Sequence, residues 1–280
     1  MQSLQTVKSA FPLRHQVARA TLHFATSPGA PLLAAISKLI EPPYRDRPQR
    51  VSQPVGQGDG QLFMKVQRID TLPKKLRMML GKPKRSGRYD WPLEELLNTV
   101  VAAQRGLKTA RVVGFGVVKP RFGVVEEFVL LTEMLDGYCN GLQWLQKHPH
   151  RAVEFVERCM KLILDMQSRG LTHLDLWVAN VMVPDDGARS WRVIDMENVF
   201  TRLSAFPSQT LGWQLGFLYR RELHRFIDEA LYDVLVLRFV GGCPGVDREA
   251  FLGVYRLSKV LALSHKKRRQ IFLEGCLGVV

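Results

Sequence analysis

The sequence predicts an α+β protein of two lobes, β-rich first and helical second. Three observations predict it. Alternating and continuous apolar runs crowd residues 61–135. A long amphipathic stretch, "RAVEFVERCMKLILDMQSRG" at 151–170, then opens a half with few strand signals. Between them, at "TEMLDG" (132–137), the text changes character, so the lobes are expected at 1–134 and 135–280.

Residues 1–50 carry the weakest signals. "ATLHFAT" at 20–26 reads as a strand, "LLAAISKLI" at 32–40 as a short helix and "EPPYRDRP" at 41–48 as a loop. "QLFMKVQ" at 61–67 alternates without breakers and reads as a strand. The tight turn "GQGDG" just before it predicts a hairpin. "WPLEELLNTVVAAQRG" at 91–106 has a proline at its start, helical apolar spacing and a stop at Gly106. "RVVGFGVV" at 111–118 and "GVVEEFVLLTEML" at 123–135 read as strands joined by "KPRFG" at 119–123. Within 151–170, Val153, Val156, Met160, Ile163 and Met166 fall on or near one helical face, and Gly170 ends the helix. "VANVMV" at 178–183, the turn "PDDG" and "WRVIDM" at 191–196 predict a second short hairpin. Residues 209–280 read as helical throughout.

Composition narrows the function. At 280 residues and 46% hydrophobic the chain can bury a substantial core, and 24% charge excludes a disordered composition. No apolar run reaches the roughly 18 residues of a membrane helix. The first 30 residues lack the apolar core of a secretory signal. Cys139, Cys159, Cys243 and Cys276 are scattered without metal-ligand spacing, so they read as reduced packing residues of a cytoplasmic protein. Lys and Arg outnumber Asp and Glu 40 to 26, a net charge of +14 that favours anionic partners. Seven basic residues without an acid lie between Lys74 and Arg88; a tail cluster, Lys266 to Arg269, reads equally well as a solvated face. No RNA-reading aromatic motif or zinc finger is legible, so nucleic acid is not an expected partner.

The stretch "LTHLDLWVANVMV" at 171–183 carries the chemistry. Phosphoryl transfer needs a cation on the nucleotide phosphates, oxygen ligands for a metal and a carboxylate to receive the acceptor proton. Asp175 and Asn180, five residues apart, supply a base and a hard-cation ligand. Magnesium prefers oxygen, so a second carboxylate is expected, and Asp195 follows fifteen residues on, at the same end of the predicted hairpin.

"HLDLWVAN" followed by "VIDMEN" resembles the catalytic and metal-binding loops of the eukaryotic-type protein kinase superfamily. Within it the chain looks most like the bacterial lipopolysaccharide-core kinases, the heptose and Kdo kinase family, from about Leu62 to Val199. The resemblance implies a two-lobed protein kinase-like fold using ATP and Mg2+. It makes Lys65 the phosphate-binding lysine and Glu95 the acid that holds it, with Glu94 as rival. "LLTEML" becomes the hinge, with the Glu133 carbonyl and Leu135 amide on adenine. His173 becomes the scaffold histidine, Asp175 the base, and Asn180 and Asp195 the magnesium ligands.

Departures from the protein-kinase pattern point to a small acceptor. Leu174 replaces an arginine that reads phosphorylated loops, Trp177 stands where a lysine is usual, and "DMEN" lacks the usual phenylalanine and glycine. "VGQGDGQLF" lies too close to Lys65 for a glycine-rich phosphate loop, which is expected before residue 56. Taken singly, these residues have plain structural readings: a solvated lysine, helix-surface acids, turn formers, and Glu197 as a surface residue. Their joint order lifts them. The expected function is ATP-dependent phosphorylation of a sugar hydroxyl of the lipopolysaccharide inner core. The setting is the cytoplasm, in peripheral contact with the inner membrane, where the basic segment at about 70–90 helps dock an acidic glycolipid. Two alternatives stand beside it: a kinase of another small molecule, such as an aminoglycoside, and a catalytically idle scaffold for phosphate-rich partners.

Overall fold

The structure is a computed structural model and describes residues 4–42, 48–85, 87–119, 123–187 and 189–277. The chain separates into two compact units. The first holds residues 1–104 and 109–136; the second holds 105–108 and 137–280. The expected α+β class, β-rich first and helical second, is the class observed.

The first unit is a six-stranded antiparallel sheet. Its elements are α1 (Leu4–Ser9), β1 (Leu13–Val17), β2 (Ala20–Phe24), α2 (Ala30–Ile40), β3 (Arg50–Val55), β4 (Leu62–Arg68), α3 (Leu72–Leu80), α4 (Trp91–Gln104), β5 (Val112–Val118) and β6 (Glu127–Glu133). The strand order is β1-β2-β5-β6-β4-β3. Both faces are covered, which is why the strands read as nearly continuous apolar runs. Leu130 and Phe128 join α4 residues Leu93, Leu96 and Leu97 in one cluster, while Val129 and Leu131 join Ile36 and Ile40 of α2 in another. Successive side chains on a strand point to opposite faces. Met64 and Val66 belong to the α2 cluster, so Lys65 between them faces α4. Its cross-strand partner is Leu130.

The predicted hairpin at 56–60 is present, with Val55 opposite Leu62, although the turn is a short 3-10 segment at Gly58–Gly60. α1 and β1 are too short to carry a readable period, whereas the period of α3 is masked by the basic run that it carries. The loop expected at 41–48 and the join at 119–123 fall partly outside the described residues, at 43–47 and 120–122. Of the strands that precede residue 56, β1 and β2 lie at the far edge of the sheet from Lys65, whereas β3 pairs directly with β4. The approach to β3 includes 43–47, so the phosphate-covering loop expected before residue 56 lies partly outside the described residues.

The second unit contains β7 (Tyr138–Asn140), α5 (Gly141–Lys147), α6 (Ala152–Ser168), β8 (Thr172–His173), β9 (Val181–Pro184), β10 (Arg192–Val193), β11 (Val199–Phe200), α7 (Pro207–Arg220), α8 (Glu229–Gly241), α9 (Arg248–Val260) and α10 (His265–Glu274). α6 buries Val156, Met160, Ile163 and Met166 as its spacing predicts, while Val153, in its first turn, is only half-buried. β9 and β10 form the second hairpin, shorter than expected on its return side. The helical reading from 209 holds, interrupted by turns; residues 278–280 are outside the described set.

α7 is buried along most of its length because α9 approaches it at glycines. A Cβ on Gly212 would lie 2.5 Å from the Phe251 carbonyl oxygen, and one on Gly216 would lie 1.8 Å from Ser258 Oγ. Larger residues would push α9 away. Beyond α7, Trp213 and Phe217 pack with Leu174, Ile271 and Phe272, joining α7, α10 and the 171–180 segment in one core. Among the described residues, no helix is long and apolar enough to cross a membrane. Cys139, Cys159, Cys243 and Cys276 are all free thiols.

Candidate active site

In the first unit, Lys65 Nζ hydrogen-bonds and ion-pairs with Glu95 Oε1. Glu95 is buried on the inner side of α4, on the sheet face that Lys65 occupies. The rival, Glu94, is engaged elsewhere. Its two oxygens take a fork from Arg88, at 2.8 and 2.7 Å. That settles which acid partners the lysine. Glu133 ends β6; its amide donates to the Arg111 carbonyl, and its Oε1 accepts from the Arg111 amide at 3.0 Å. Leu135 lies just beyond the strand, and its amide donates to no protein group among the described residues.

In the second unit, the 171–180 segment is held from below by α7. Trp213 Nε1 donates to the Leu174 carbonyl at 3.0 Å and Gln214 Nε2 to the His173 carbonyl at 3.2 Å. His173 is fully buried. Its Nδ1 accepts from the Asp175 amide at 3.2 Å, so Nε2 carries the proton and faces the Ile194 carbonyl at 3.4 Å. Burial lowers its pKa below 6.5, against the raising effect of Asp175, so the ring is neutral. It ties the loop to the residue before Asp195 without adding charge.

Asn180 ends a 3-10 turn, Val178–Asn180, just before β9. Its Nδ2 donates to the Asp175 carbonyl at 3.0 Å, which fixes the amide plane and leaves Oδ1 as the group suited to a cation. The Asn180 carbonyl accepts from the Ile194 amide at 3.0 Å, so Asn180 and Asp195 stand at one end of the β9–β10 hairpin, as predicted. Asp195 does not end the strand, however. β10 stops at Val193, and Asp195 adopts a left-handed conformation, φ 64° and ψ 56°. Aspartate enters this region more readily than most residues with a Cβ, so the turn after β10 is reached at small cost. A side-chain amide oxygen and a carboxylate fit a hard divalent cation, which takes oxygen ligands and retains waters.

Sequence reasoning missed the surroundings of Asp175. Its Oδ1 accepts from Arg268 Nη1 at 2.5 Å and from Arg221 Nη1 at 3.2 Å. Arg268 is buried, with Nε on the Leu263 carbonyl at 2.9 Å and its guanidinium 4.6 Å from the Phe217 ring. Arg221 lies over the Trp177 ring at 4.1 Å. The even reading of the 266–269 cluster as a solvated face is therefore half corrected. Lys266 and Lys267 are exposed, but Arg268 and Arg269 are buried because they share a helical face with Ile271 and Phe272. The surface reading of Glu197 is also corrected: its carboxylate is half-buried and groups with Asp175 and His265, ligand atoms within 4.8 Å of one another.

A carboxylate bonded through its backbone to an asparagine in the second unit, and a lysine–glutamate ion pair on a strand and helix of the first, are residue types that phosphoryl transfer uses. The chain belongs to the lipopolysaccharide kinase (Kdo/WaaP) family, whose model matches residues 59–230, more than half of its length; it is a phosphotransferase. A solved structure, WaaP in complex with acyl carrier protein, is similar over 82% of this chain and 88% of that chain, at 18% identity and a TM-score of 0.47. No curated protein sequence matches the chain.

Proposed function

We propose that this lipopolysaccharide kinase uses ATP and Mg2+ to phosphorylate a hydroxyl on a heptose or Kdo sugar of the inner core. The observation that carries the reading is the placement of Asn180 and Asp195 at one hairpin end, with the Asn180 side chain bonded to the Asp175 backbone. Asp175 orients the acceptor hydroxyl and takes its proton as that oxygen bonds to the γ-phosphorus and the bond to ADP breaks. Asn180 and Asp195 would hold magnesium, which would supply positive charge against the nucleotide phosphates. Lys65, positioned by Glu95, binds the α- and β-phosphates. The Glu133 carbonyl and Leu135 amide take adenine, and His173 orients the loop. Residues 1–134 then act as a nucleotide-binding lobe and 135–280 as a catalytic and acceptor lobe.

The acceptor is a glycolipid, and α3 supports peripheral contact with an anionic membrane, at the cytoplasmic face of the inner membrane. Leu72, Leu76, Met79 and Leu80 recur at helical spacing and are all exposed. Lys75 lies within the same helix, and Lys82 and Arg85 follow it in the chain. An apolar stripe with basic flanks suits an interface, where burial and attraction to anionic lipids add. The test of the whole reading is mass spectrometry of the lipopolysaccharide core from cells with and without the protein. One added phosphate per core is expected, absent when Asp175→Asn replaces the wild type. An unchanged core mass on deleting the protein defeats the reading.

A further inference from the structure

Around Asp175 guanidiniums outnumber carboxylates, four to three when Glu197 and the Asp195 beside it are counted. Arg220, Arg221, Arg268 and Arg269 stand around it and Glu197, and partial desolvation together with Arg268, Arg269 and Arg221 lowers the pKa of the exposed His265 against the pull of Asp175. Arg268 and Arg221 both converge on one oxygen, Asp175 Oδ1. Arg220 Nε is buried with no hydrogen-bond partner. A buried donor without an acceptor is costly unless a ligand supplies one. The arginines are also fixed in place: Arg268 by the Leu263 carbonyl and Phe217, Arg221 by stacking on Trp177. Asp175, Glu197 and His265 lie close enough to suggest a cation site, but four guanidiniums oppose a cation there.

We propose that Arg220, Arg221 and Arg268 form an anion subsite beside Asp175 that binds an oxyanion, phosphate or carboxylate, carried by the acceptor next to the hydroxyl to be phosphorylated. Arginine forks match the geometry of such groups. In the absence of acceptor, Asp175 Oδ1 stands in for that oxyanion. When the acceptor binds, its anion shares the guanidiniums and relieves the hold on the base. The subsite thus makes charge on the acceptor a condition of correct placement. This inference rests on the phosphotransfer reading of Asp175.

The experiment compares wild type with Arg221→Gln and Arg220→Gln, both at partly exposed positions, with circular dichroism to check folding. Three acceptors are used: deacylated inner-core oligosaccharide, the same material dephosphorylated with hydrofluoric acid, and the same material with its carboxyls reduced. Losing a charged hydrogen bond should raise the acceptor KM about 10-fold or more on the native oligosaccharide. The effect should be largely on KM, and should vanish on whichever acceptor has lost the recognised anion. An equal KM ratio on all three acceptors, or no change, overturns the subsite. Inorganic phosphate provides a readout independent of the acceptor: it should raise the Tm of wild type more than that of either variant. Arginine-dependent protection by phosphate without activity on any core oligosaccharide would retain the anion subsite and remove the lipopolysaccharide reading. Activity on the core with neither KM nor protection depending on these arginines would do the reverse.

Discussion

The basic run at 74–88 and the shorter one at 266–269 look alike as text, yet the structure treats them differently. In the first, acids outside the run meet part of the charge. Lys74 pairs with Asp70, Arg77 and Lys84 with Asp90, and Arg88 with Glu94. Lys75, Lys82 and Arg85 remain without an ion pair among the described residues. In the second, two of four basic residues turn inward, and Arg268 meets a carboxylate 93 positions away. The phase of the apolar residues makes the difference. α3 buries only Met78, whereas α10 buries Ile271 and Phe272 and carries Arg268 and Arg269 in with them. A run of charge therefore says little about its own burial. The neighbours three and four positions away decide it.

The largest expected effect falls on the inward pair's acid. Asp175→Asn keeps the shape but removes the proton acceptor, and phosphate transfer should fall by about 10²–10⁴-fold. Thermal protection by ATP and magnesium should survive, since neither of the two proposed cation ligands is altered. A variant retaining wild-type turnover would remove the role assigned to this carboxylate. Next comes the arginine. Arg268→Ala leaves a buried carboxylate without its shortest partner and should destabilise the chain by about 3–5 kcal/mol in chemical denaturation. Arg268→Met, which refills the volume, should lose less. If both changes are tolerated equally, the inward cluster is no more structural than the outward one.

These effects also measure how much the text revealed. Asp175, Asn180 and Asp195 could be singled out by their spacing on a loop and hairpin, while Lys65 and Glu95 were singled out only through the family resemblance; the structure brings Lys65 to Glu95 and Asn180 to Asp175. The face that Lys65 takes follows from alternation, which assigns Lys65 and the Met64–Val66 pair to opposite sides of the sheet, but the order of the strands beside it does not. Arg221 and Arg268 were not legible. Neither has a local pattern tied to residue 175, and their contacts arise from α7 and α10 packing on Leu174, a tertiary event. The short elements α1, β1 and β11 were illegible because two to six residues carry too little periodicity to score. The left-handed Asp195 had no signal either: Asp enters that region with little penalty, so its presence marks nothing.

His173 extends the comparison to a base buried without charge. The folded state holds its pKa below 6.5, so folding favours the neutral ring. The stabilisation is complete above the unfolded value and is lost as pH falls beneath 6.5, because the unfolded chain then binds the extra proton. Denaturation from pH 7 to 5 should show stability declining by up to about 1.4 kcal/mol per pH unit from this residue. His173→Gln should flatten that decline. An identical slope in both proteins would place the pH dependence on another group.

The smallest effect on stability belongs to the outward run. Replacing Lys75, Lys82 and Arg85 by alanine removes charges that bond to nothing among the described residues, so each change should shift unfolding by no more than about 0.5 kcal/mol. Binding should respond where stability does not. Each basic residue near an anionic bilayer contributes about 1 kcal/mol, so the triple variant should lose roughly 100-fold in affinity for vesicles containing 30% (about one third) phosphatidylglycerol. The loss should shrink as salt rises, because the attraction decays over a Debye length of about 8 Å at physiological ionic strength. Cosedimentation at two salt concentrations measures both. Vesicle binding that survives the triple change but disappears with Leu76→Ser and Leu80→Ser would mean that the apolar stripe of α3, not its charge, makes the contact. Binding indifferent to all five changes would remove α3 from the membrane altogether, and with it the functional distinction between the two basic runs.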